Sequence, residues 1–274
     1  MAELKTRYLG LELKSPVIVG ASGLTADMDS LRRIEDAGAG AVVVRSLFEE
    51  EIQAQRFVFD ESVSQLDNLS SEAATLVPHS LEHAGPEEHL MWTQRAVEAL
   101  SIPVIGSLNA VNPETWVEWA QKLQKTGIRA LEINLYASPG EGKRDAADIE
   151  REQAEIVARV AKVVKIPLAV KLSPFYTSPV NMIRRLAREG VRGLVLFNGF
   201  FQPTIDIDSE ELVSPLHGGH GDSHLALRMI GLTYGSITAD LCASGGINHS
   251  EDVIRMILAG SAAVQVVGAL YKNG

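Results

Sequence analysis

No apolar run in this chain approaches the roughly 18 residues that a membrane-crossing helix requires, so no membrane partner is expected. The N-terminal stretch Met1-Ala-Glu-Leu-Lys-Thr-Arg7 has no apolar core segment and does not read as a signal peptide. Cysteine is nearly missing. The lone Cys242 excludes an intrachain disulfide and points to a reducing, cytoplasmic setting. Lysine and arginine never form a block, and the formal net charge is −10, which argues against nucleic acid as the main partner. A metal-binding pattern is also lacking among the seven histidines. His79 and His83 are four apart, but no strand-end carboxylate joins them. His217, His220 and His224 flank Gly218-Gly219, which suits a ligand-contacting loop better than a metal site, so no metal is expected.

What is present is a strand–helix alternation in a chain of 274 residues, a length that one (β/α)₈ barrel fills. Eight apolar runs are candidate strands: Val17–Gly20, Ala41–Arg45, Val104–Ser107, Ala130–Asn134, Leu168–Lys171, Gly193–Phe197, Asp240–Ala243 and Ala263–Val267. Most are continuous rather than alternating, as parallel strands buried on both faces must be. Helical segments are expected at Asp27–Ala37, Pro86–Leu100, from Asn112-Pro113-Glu114 onward, Ala146–Val164, Ser178–Glu189, Ser223–Leu232 and Ser250–Ala259. Asp27–Ala37 carries Met28, Leu31 and Ile34 at helical spacing, and Asn112 is a candidate cap. The punctuation Ser101-Ile-Pro103 and Lys165-Ile-Pro167 fits short returns from helix to strand.

The expected fold is therefore a single (β/α)₈ barrel domain over residues 1–274. Long inserts follow strands two (46–85) and six (198–221), both on the face where strands end. Such loops act as lids or substrate-binding inserts, or they pack against a partner subunit. An eighth barrel helix is missing after strand eight, so the barrel is read as C-terminally truncated.

The last forty residues carry the first functional signal. Asp240–Gly246 is a strand breaking into Ser244-Gly245-Gly246, a helix follows, and Ala262–Val267 breaks at Gly268-Ala269. Loops after strands seven and eight of such barrels commonly hold phosphate, and glycine amides can close on its oxygens because no Cβ blocks the approach. A phosphorylated ligand or cofactor is expected. Polar residues end several strands: Arg45-Ser46, Ser107 with Asn109, Asn134, Lys171 and Asn198. Each alone could be a satisfied end-of-strand residue; five together point to a functional rim. Lys171, closing an apolar strand, is expected to meet an anion or an electron-rich cofactor; the alternative is a buried ion pair with Glu132. Arg45 is a fixed cation able to stabilise developing negative charge, and the asparagines can read a heterocycle that presents donors and acceptors. Cys242 sits inside strand seven and reads as core rather than nucleophile.

In order along the chain stand Ala21-Ser-Gly-Leu, Val44-Arg-Ser46, Glu132-Ile-Asn-Leu, Ala169-Val-Lys-Leu-Ser-Pro174, Phe197-Asn198, Gly218-Gly219, Ser244-Gly-Gly-Ile247 and Val267-Gly-Ala269. Together they resemble the dihydroorotate dehydrogenase family, FMN-dependent (β/α)₈ barrels of pyrimidine biosynthesis. The resemblance spans the chain from the hairpin-like Leu9–Lys14 to Gly274. It implies that Ala21, Ser22 and Gly23 line the flavin beside strand one. Arg45 and Ser46 take the positions of a Lys-Ser pair that contacts ring and substrate, and Asn134 and Asn198 match asparagines that touch flavin or pyrimidine. Lys171 matches a lysine near the flavin N1–C2 carbonyl edge, where positive charge favours the reduced form. Gly218-Gly219, Gly245-Gly246 and Val267-Gly268 would hold the ribityl phosphate. The implied reaction is hydride transfer to flavin from a C–C bond next to a carbonyl, on a pyrimidine-like or other carbonyl-activated substrate, in a cytoplasmic homodimer.

The sequence departs from that pattern on the substrate side. Soluble members read Asn-Leu-Ser-Cys-Pro-Asn after the Glu-x-Asn strand, with the Cys as base; this chain reads Asn134-Leu-Tyr-Ala-Ser-Pro139. Ala137 takes the Cys position by direct alignment, and a one-residue slip makes it Ser138, an unassisted hydroxyl and a poor base. A segment like Asn-Ser-Met-Gly-Leu is not evident between Ser62 and Pro78, Gly199 follows the late Asn, and Arg45 replaces Lys. The flavin half matches the family and the dihydroorotate half has diverged. Two other classes therefore remain open: a flavin- or phosphate-binding barrel without dehydrogenase activity, and a phosphate-binding isomerase or synthase without flavin.

Overall fold

The computed structural model describes residues 3–49, 52, 85–110, 112–135, 144–199, 204–213 and 223–273. In chain order its strands are β1 (Thr6–Tyr8), β2 (Leu11–Leu13), β3 (Val17–Val19), β4 (Ala41–Val43), β5 (Leu47–Phe48), β6 (Val104–Asn109), β7 (Ala130–Asn134), β8 (Leu168–Leu172), β9 (Gly193–Leu196), β10 (Thr204–Ile205), β11 (Leu212–Val213), β12 (Asp240–Ser244) and β13 (Ala263–Val266). The helices are α1 (Met28–Asp36), α2 (Pro86–Ala99), α3 (Pro113–Lys125), α4 (Ala146–Val163), α5 (Pro179–Ala187), α6 (Ser223–Thr233), α7 (Ser250–Leu258) and α8 (Gly268–Asn273).

Strands β3, β4, β6, β7, β8, β9, β12 and β13 pair in parallel and close on themselves, since β4 pairs with both β3 and β6. These are the eight runs read from the sequence, and the architecture is the expected (β/α)₈ barrel. Within the inserts, β5 continues the path of β4 along β6, and β10 pairs with β11 as a small antiparallel hairpin. A short helix not picked out from the sequence, α8, opens directly after the last barrel strand.

Alternation divides each strand between two cores. Outward Leu131, Ile133, Val170, Leu172, Leu194, Leu196 and Val264 meet the helices. Inward Ile18, Ala41, Val43, Ile105, Ala130, Ala169, Val195, Cys242 and Ala263 fill the barrel. Many of the inward residues are small, which leaves room for Tyr8, Leu9 and Leu13 of the N-terminal hairpin to plug the floor. Its two-residue turn has Leu9 at φ 56° and Gly10 at φ 77°, both left-handed, as tight hairpins demand. Leucine rarely adopts that conformation. Burial of its side chain, worth about 1.5–3 kcal/mol, and a 2.7 Å bond from its N–H to Asp240 Oδ2 hold it there. Gly193 makes the space: a Cβ at that position would stand 2.4 Å from Leu9 Cδ2.

The helices follow their caps. Asp27 accepts from Ser30 N–H at 2.8 Å to start α1, and Gly38, at φ 94°, ends it. Asn112 occupies the cap position of α3, yet its side chain does not cap the helix. Its amide donates instead to the buried Glu49 carboxylate, which also accepts the Asn112 N–H at 2.8 Å, so a residue from the first insert satisfies the helix start. The Ile-Pro returns are pinned from neighbouring helices. Glu35 Oε1 accepts Ser101 N–H (2.8 Å), Ser101 Oγ–H (2.5 Å) and Ile102 N–H (3.0 Å), and Gln124 Oε1 accepts Lys165 N–H and Ile166 N–H.

Candidate active site

Barrel strands deliver their C-terminal residues to one mouth, and the inward parity decides which side chains enter it. On β7 that parity gives Ala130, Glu132 and Asn134; on β8 it gives Ala169 and Lys171; on β13 it gives Ala263 and Gln265. Lys171 is 7% exposed, and its Nζ donates to Gln265 Oε1 at 2.8 Å. The ion pair with Glu132 raised as an alternative is present, Nζ to Oε1 at 3.8 Å, alongside the closer amide contact. Gln265 Nε2 in turn donates to Glu132 Oε2. Lys171 faces Asn134 in register across β7 and β8.

A second chain of contacts runs along the other side. Asn134 Nδ2 donates to Ser107 Oγ (3.0 Å) and to the Leu108 carbonyl (3.2 Å), and the hydroxyls of Ser107 and Ser46 share a 2.7 Å bond. Asn198 follows the cis Leu196–Phe197 peptide, and its amide donates to the Lys171 carbonyl at 3.3 Å. Of the rim residues read from the sequence, Ser46, Ser107 and Asn134 share one chain of hydrogen bonds, Asn198 meets the Lys171 carbonyl on the neighbouring strand, and all five are buried. Arg45 stands half-buried at the end of β4, and its charge reaches His89 on α2. Asn109 ends β6.

Around the mouth, Ser22 Oγ is buried with no hydrogen-bond partner among the described residues, and Gly23 opens a short 3₁₀ turn whose backbone approaches Tyr271 of α8. Ala21 is half-buried beside them. The Ser244 carbonyl accepts Phe197 N–H at 2.9 Å. Gly245 and Gly246 follow at φ 93° and 67°, a conformation side chains rarely adopt. Val267 packs against Gly20, whereas a Cβ at Gly268 would meet nothing within 4 Å. Ser138, Gly218 and Gly219 lie outside the described residues, as do His79, His83, His217 and His220. Among the described residues no group of three or more His, Cys, Asp and Glu is placed to hold a metal, and no helix is long and apolar enough to cross a membrane.

Cys242 is fully buried inside the barrel. Burial first, then the Glu132 charge, push its thiol well above the usual range, which agrees with a core role and not a nucleophile's. Gln265, His89 and Glu49 were not singled out from the sequence. Gln265 did leave a signal, one polar residue in the middle of an apolar strand; His89 and Glu49 left none without the fold.

Comparison with known proteins decides what kind of barrel this is. A profile described as dihydroorotate dehydrogenase matches residues 3–274. The chain belongs to the dihydroorotate dehydrogenase family. It is 29% identical over 282 residues to the dihydroorotate dehydrogenase B (NAD(+)) catalytic subunit of Thermoplasma volcanium, covering all of this chain and 89% of that protein. It is 27% identical over 289 residues to the protein of the same description from Methanocaldococcus jannaschii, covering 99% of this chain and 88% of that one. Among solved structures, DHODH of Eimeria tenella, in complex with ferulenol, superposes with a TM-score of 0.68 at 16% identity, over 99% of this chain and 80% of that one; the likeness is one of fold. The expected class, an oxidoreductase acting on CH–CH groups, stands with the family.

Dihydroorotate dehydrogenases are flavin-dependent, and the residues of this mouth fit such a group. The orphaned Ser22 hydroxyl and the uncrowded backbone at Gly268 offer donors for a ligand. Lys171, Asn134 and Asn198 supply the mixture of cation and amides that a heterocycle edge with carbonyls and N–H groups requires.

Proposed function

We propose that this protein is an FMN-dependent dehydrogenase that removes two hydrogens across a C–C bond next to a carbonyl, with dihydroorotate or another pyrimidine-like compound as substrate. The observation that carries the reading is the buried layer of Lys171, Asn134, Asn198, Ser107 and Ser46 at the mouth of a barrel of this family. When bound, FMN supplies the two-electron acceptor that no side chain can provide. Lys171, Ser46, Asn198, Ala21, Ser22 and Gly23 would hold its ring. Gly218, Gly219, Ser244, Gly245, Gly246, Val267 and Gly268 would hold its phosphate. Asn134, Ser107 and Asn109 orient the substrate or the ring edge, and Arg45 stabilises negative charge developing on a substrate carbonyl. The buried layer keeps bulk water away from the reacting carbons. Ser138 is assigned the proton-accepting role that a cysteine has in soluble relatives. We further assign the protein to the cytoplasm as a homodimer; sedimentation as a monomer would reject the dimer.

The test is an FMN titration followed by anaerobic addition of dihydroorotate. One-to-one binding and bleaching of the flavin support the reading, and loss of bleaching in Ser138→Ala assigns the base. Binding without bleaching by dihydroorotate favours the other reading that Ala137 motivates, a flavin-binding barrel without this activity. No binding rejects both.

A further inference from the structure

Three buried side chains from three strands form one polar unit inside the barrel. Lys171 of β8 donates to Gln265 of β13 at 2.8 Å, Gln265 donates to Glu132 of β7, and Glu132 Oε1 lies 3.8 Å from Lys171 Nζ. Glu132 is 1% exposed and Gln265 is 2% exposed. The amide orientation follows from its neighbours. An ammonium only donates, so Gln265 must turn its oxygen to Lys171; a carboxylate only accepts, so the amide nitrogen must face Glu132. The unit therefore joins a cation to an anion through a group that can serve both at once.

As a staple between strands it is a poor device. A buried ion pair seldom stabilises more than apolar side chains of the same volume, and Glu132 Oε1 accepts no hydrogen bond among the described residues. Its placement is more informative. Both charges reach Cys242, but the strand register separates them: Glu132 pairs with Ala169, whereas Lys171 pairs with Asn134, one inward position nearer the mouth, and its carbonyl accepts from Asn198. The anion is thus carried one inward layer deeper in the barrel than the cation.

We propose that Glu132 and Gln265 are positioning residues: they fix the Lys171 ammonium at the mouth and offset part of its field, so that the triad tunes the reduction potential of the bound flavin. The inference rests on the flavin reading above. A cation beside the ring favours the electron-rich form, and a carboxylate behind that cation weakens the preference. Glu132→Gln, an isosteric change, strengthens the net positive field. Exchanging the two residues, E132Q with Q265E, keeps a single carboxylate and moves it into direct contact with Lys171, which weakens that field.

The experiment measures the midpoint potential of FMN bound to the wild type, E132Q, E132D and the exchange variant E132Q/Q265E, anaerobically against reference dyes. E132Q is expected to hold a reduced-to-oxidised ratio at least tenfold higher at a fixed poise, a shift of about 30 mV upward for a two-electron couple. The exchange variant is expected to shift downward, and E132D, which keeps the charge in place, to stay near the wild type. If E132Q does not accumulate as folded protein, the sign of the exchange variant's shift decides alone. One-to-one FMN binding with unchanged or reversed potentials overturns the inference and leaves the flavin reading standing. Wild-type protein that binds no FMN overturns both.

Discussion

Acidification isolates one buried side chain, His89, in the first turns of α2. It is 3% exposed, its Nε2 has no hydrogen-bond partner among the described residues, and its ring centroid lies 6.3 Å from that of Trp92. Burial, and then the positive charge of Arg45, lower its pKa from 6.5 to about 4. The folded protein therefore accepts the neutral imidazole and resists the cation. In the unfolded chain the same group takes up its proton near pH 6.5. Between pH 6.5 and about 4 the unfolded state binds a proton that the folded state does not, so stability falls as pH falls through that window. Above it, neither state is protonated at this site and the residue contributes no pH dependence. A depression from 6.5 to about 4 corresponds to roughly 3 kcal/mol at its full extent, or up to about 1.4 kcal/mol per pH unit. His89→Leu removes the titration while exchanging an unpartnered buried nitrogen for apolar atoms, so its cost at pH 7 is expected to be about 1 kcal/mol or less. Urea denaturation of both proteins at several pH values from 7 down to 4.5 measures the difference. The wild type is expected to lose more stability than His89→Leu at each step below pH 6.5. Parallel curves for the two proteins would refute the assignment of a buried neutral histidine.

Two further substitutions probe the scaffold beneath the site. Gly193→Ala places a methyl 2.4 Å from Leu9 Cδ2 and 3.1 Å from the Tyr8 hydroxyl, so the hairpin plug must shift; a loss of about 1–3 kcal/mol is expected by thermal or urea denaturation, and wild-type stability would contradict the packing described. Glu35→Ala removes the acceptor of three hydrogen bonds from Ser101 and Ile102, with an expected cost of about 1–2 kcal/mol near neutral pH. The Ser101 hydroxyl, opposed in part by burial, holds the Glu35 carboxyl below its ordinary 4.5. The contribution is thus present above about pH 4.5 and is lost as pH falls through the folded value, so the wild type and Glu35→Ala should converge in acid; a gap unchanged from pH 7 to 3 would count against it.

Much of the barrel was legible because parallel barrel strands are buried on both faces, and eight short apolar runs separated by capped, amphipathic segments admit few other folds. The same property hid the interior. A strand apolar on both faces loses its alternation, so the apolar residues of Ala130–Asn134 and Leu168–Leu172 do not by themselves say which parity points to the barrel axis. Local chemistry placed Asn112 at the cap of α3 but not its bond: the side chain turns to Glu49, 63 residues earlier, instead of to the helix. No local pattern can anticipate a partner supplied by another loop.

The site was legible to the extent that its residues sit at strand ends, where a polar side chain in an apolar context stands out. Ser46, Ser107, Asn134, Lys171 and Asn198 were found that way. Gln265 was not, although it holds the key to the parity problem. It is the one polar side chain in Ala263–Val266, and a buried amide in a barrel strand must face a polar partner. Assigning it to the interior assigns Ala263 as well, and the parallel pairing of Ala263 with Cys242 carries the same parity to β12. On β7 and β8 the polar residues Glu132, Asn134 and Lys171 obey the same rule, since each would otherwise be driven into the apolar layer under α3, α4 and α5. Three strands then point a carboxylate, an ammonium and an amide into one enclosed space, where only mutual contact can satisfy them. That constraint assembles the Lys171–Gln265–Glu132 unit before any distance is measured, and it places a charged pair under the mouth where this family does its chemistry.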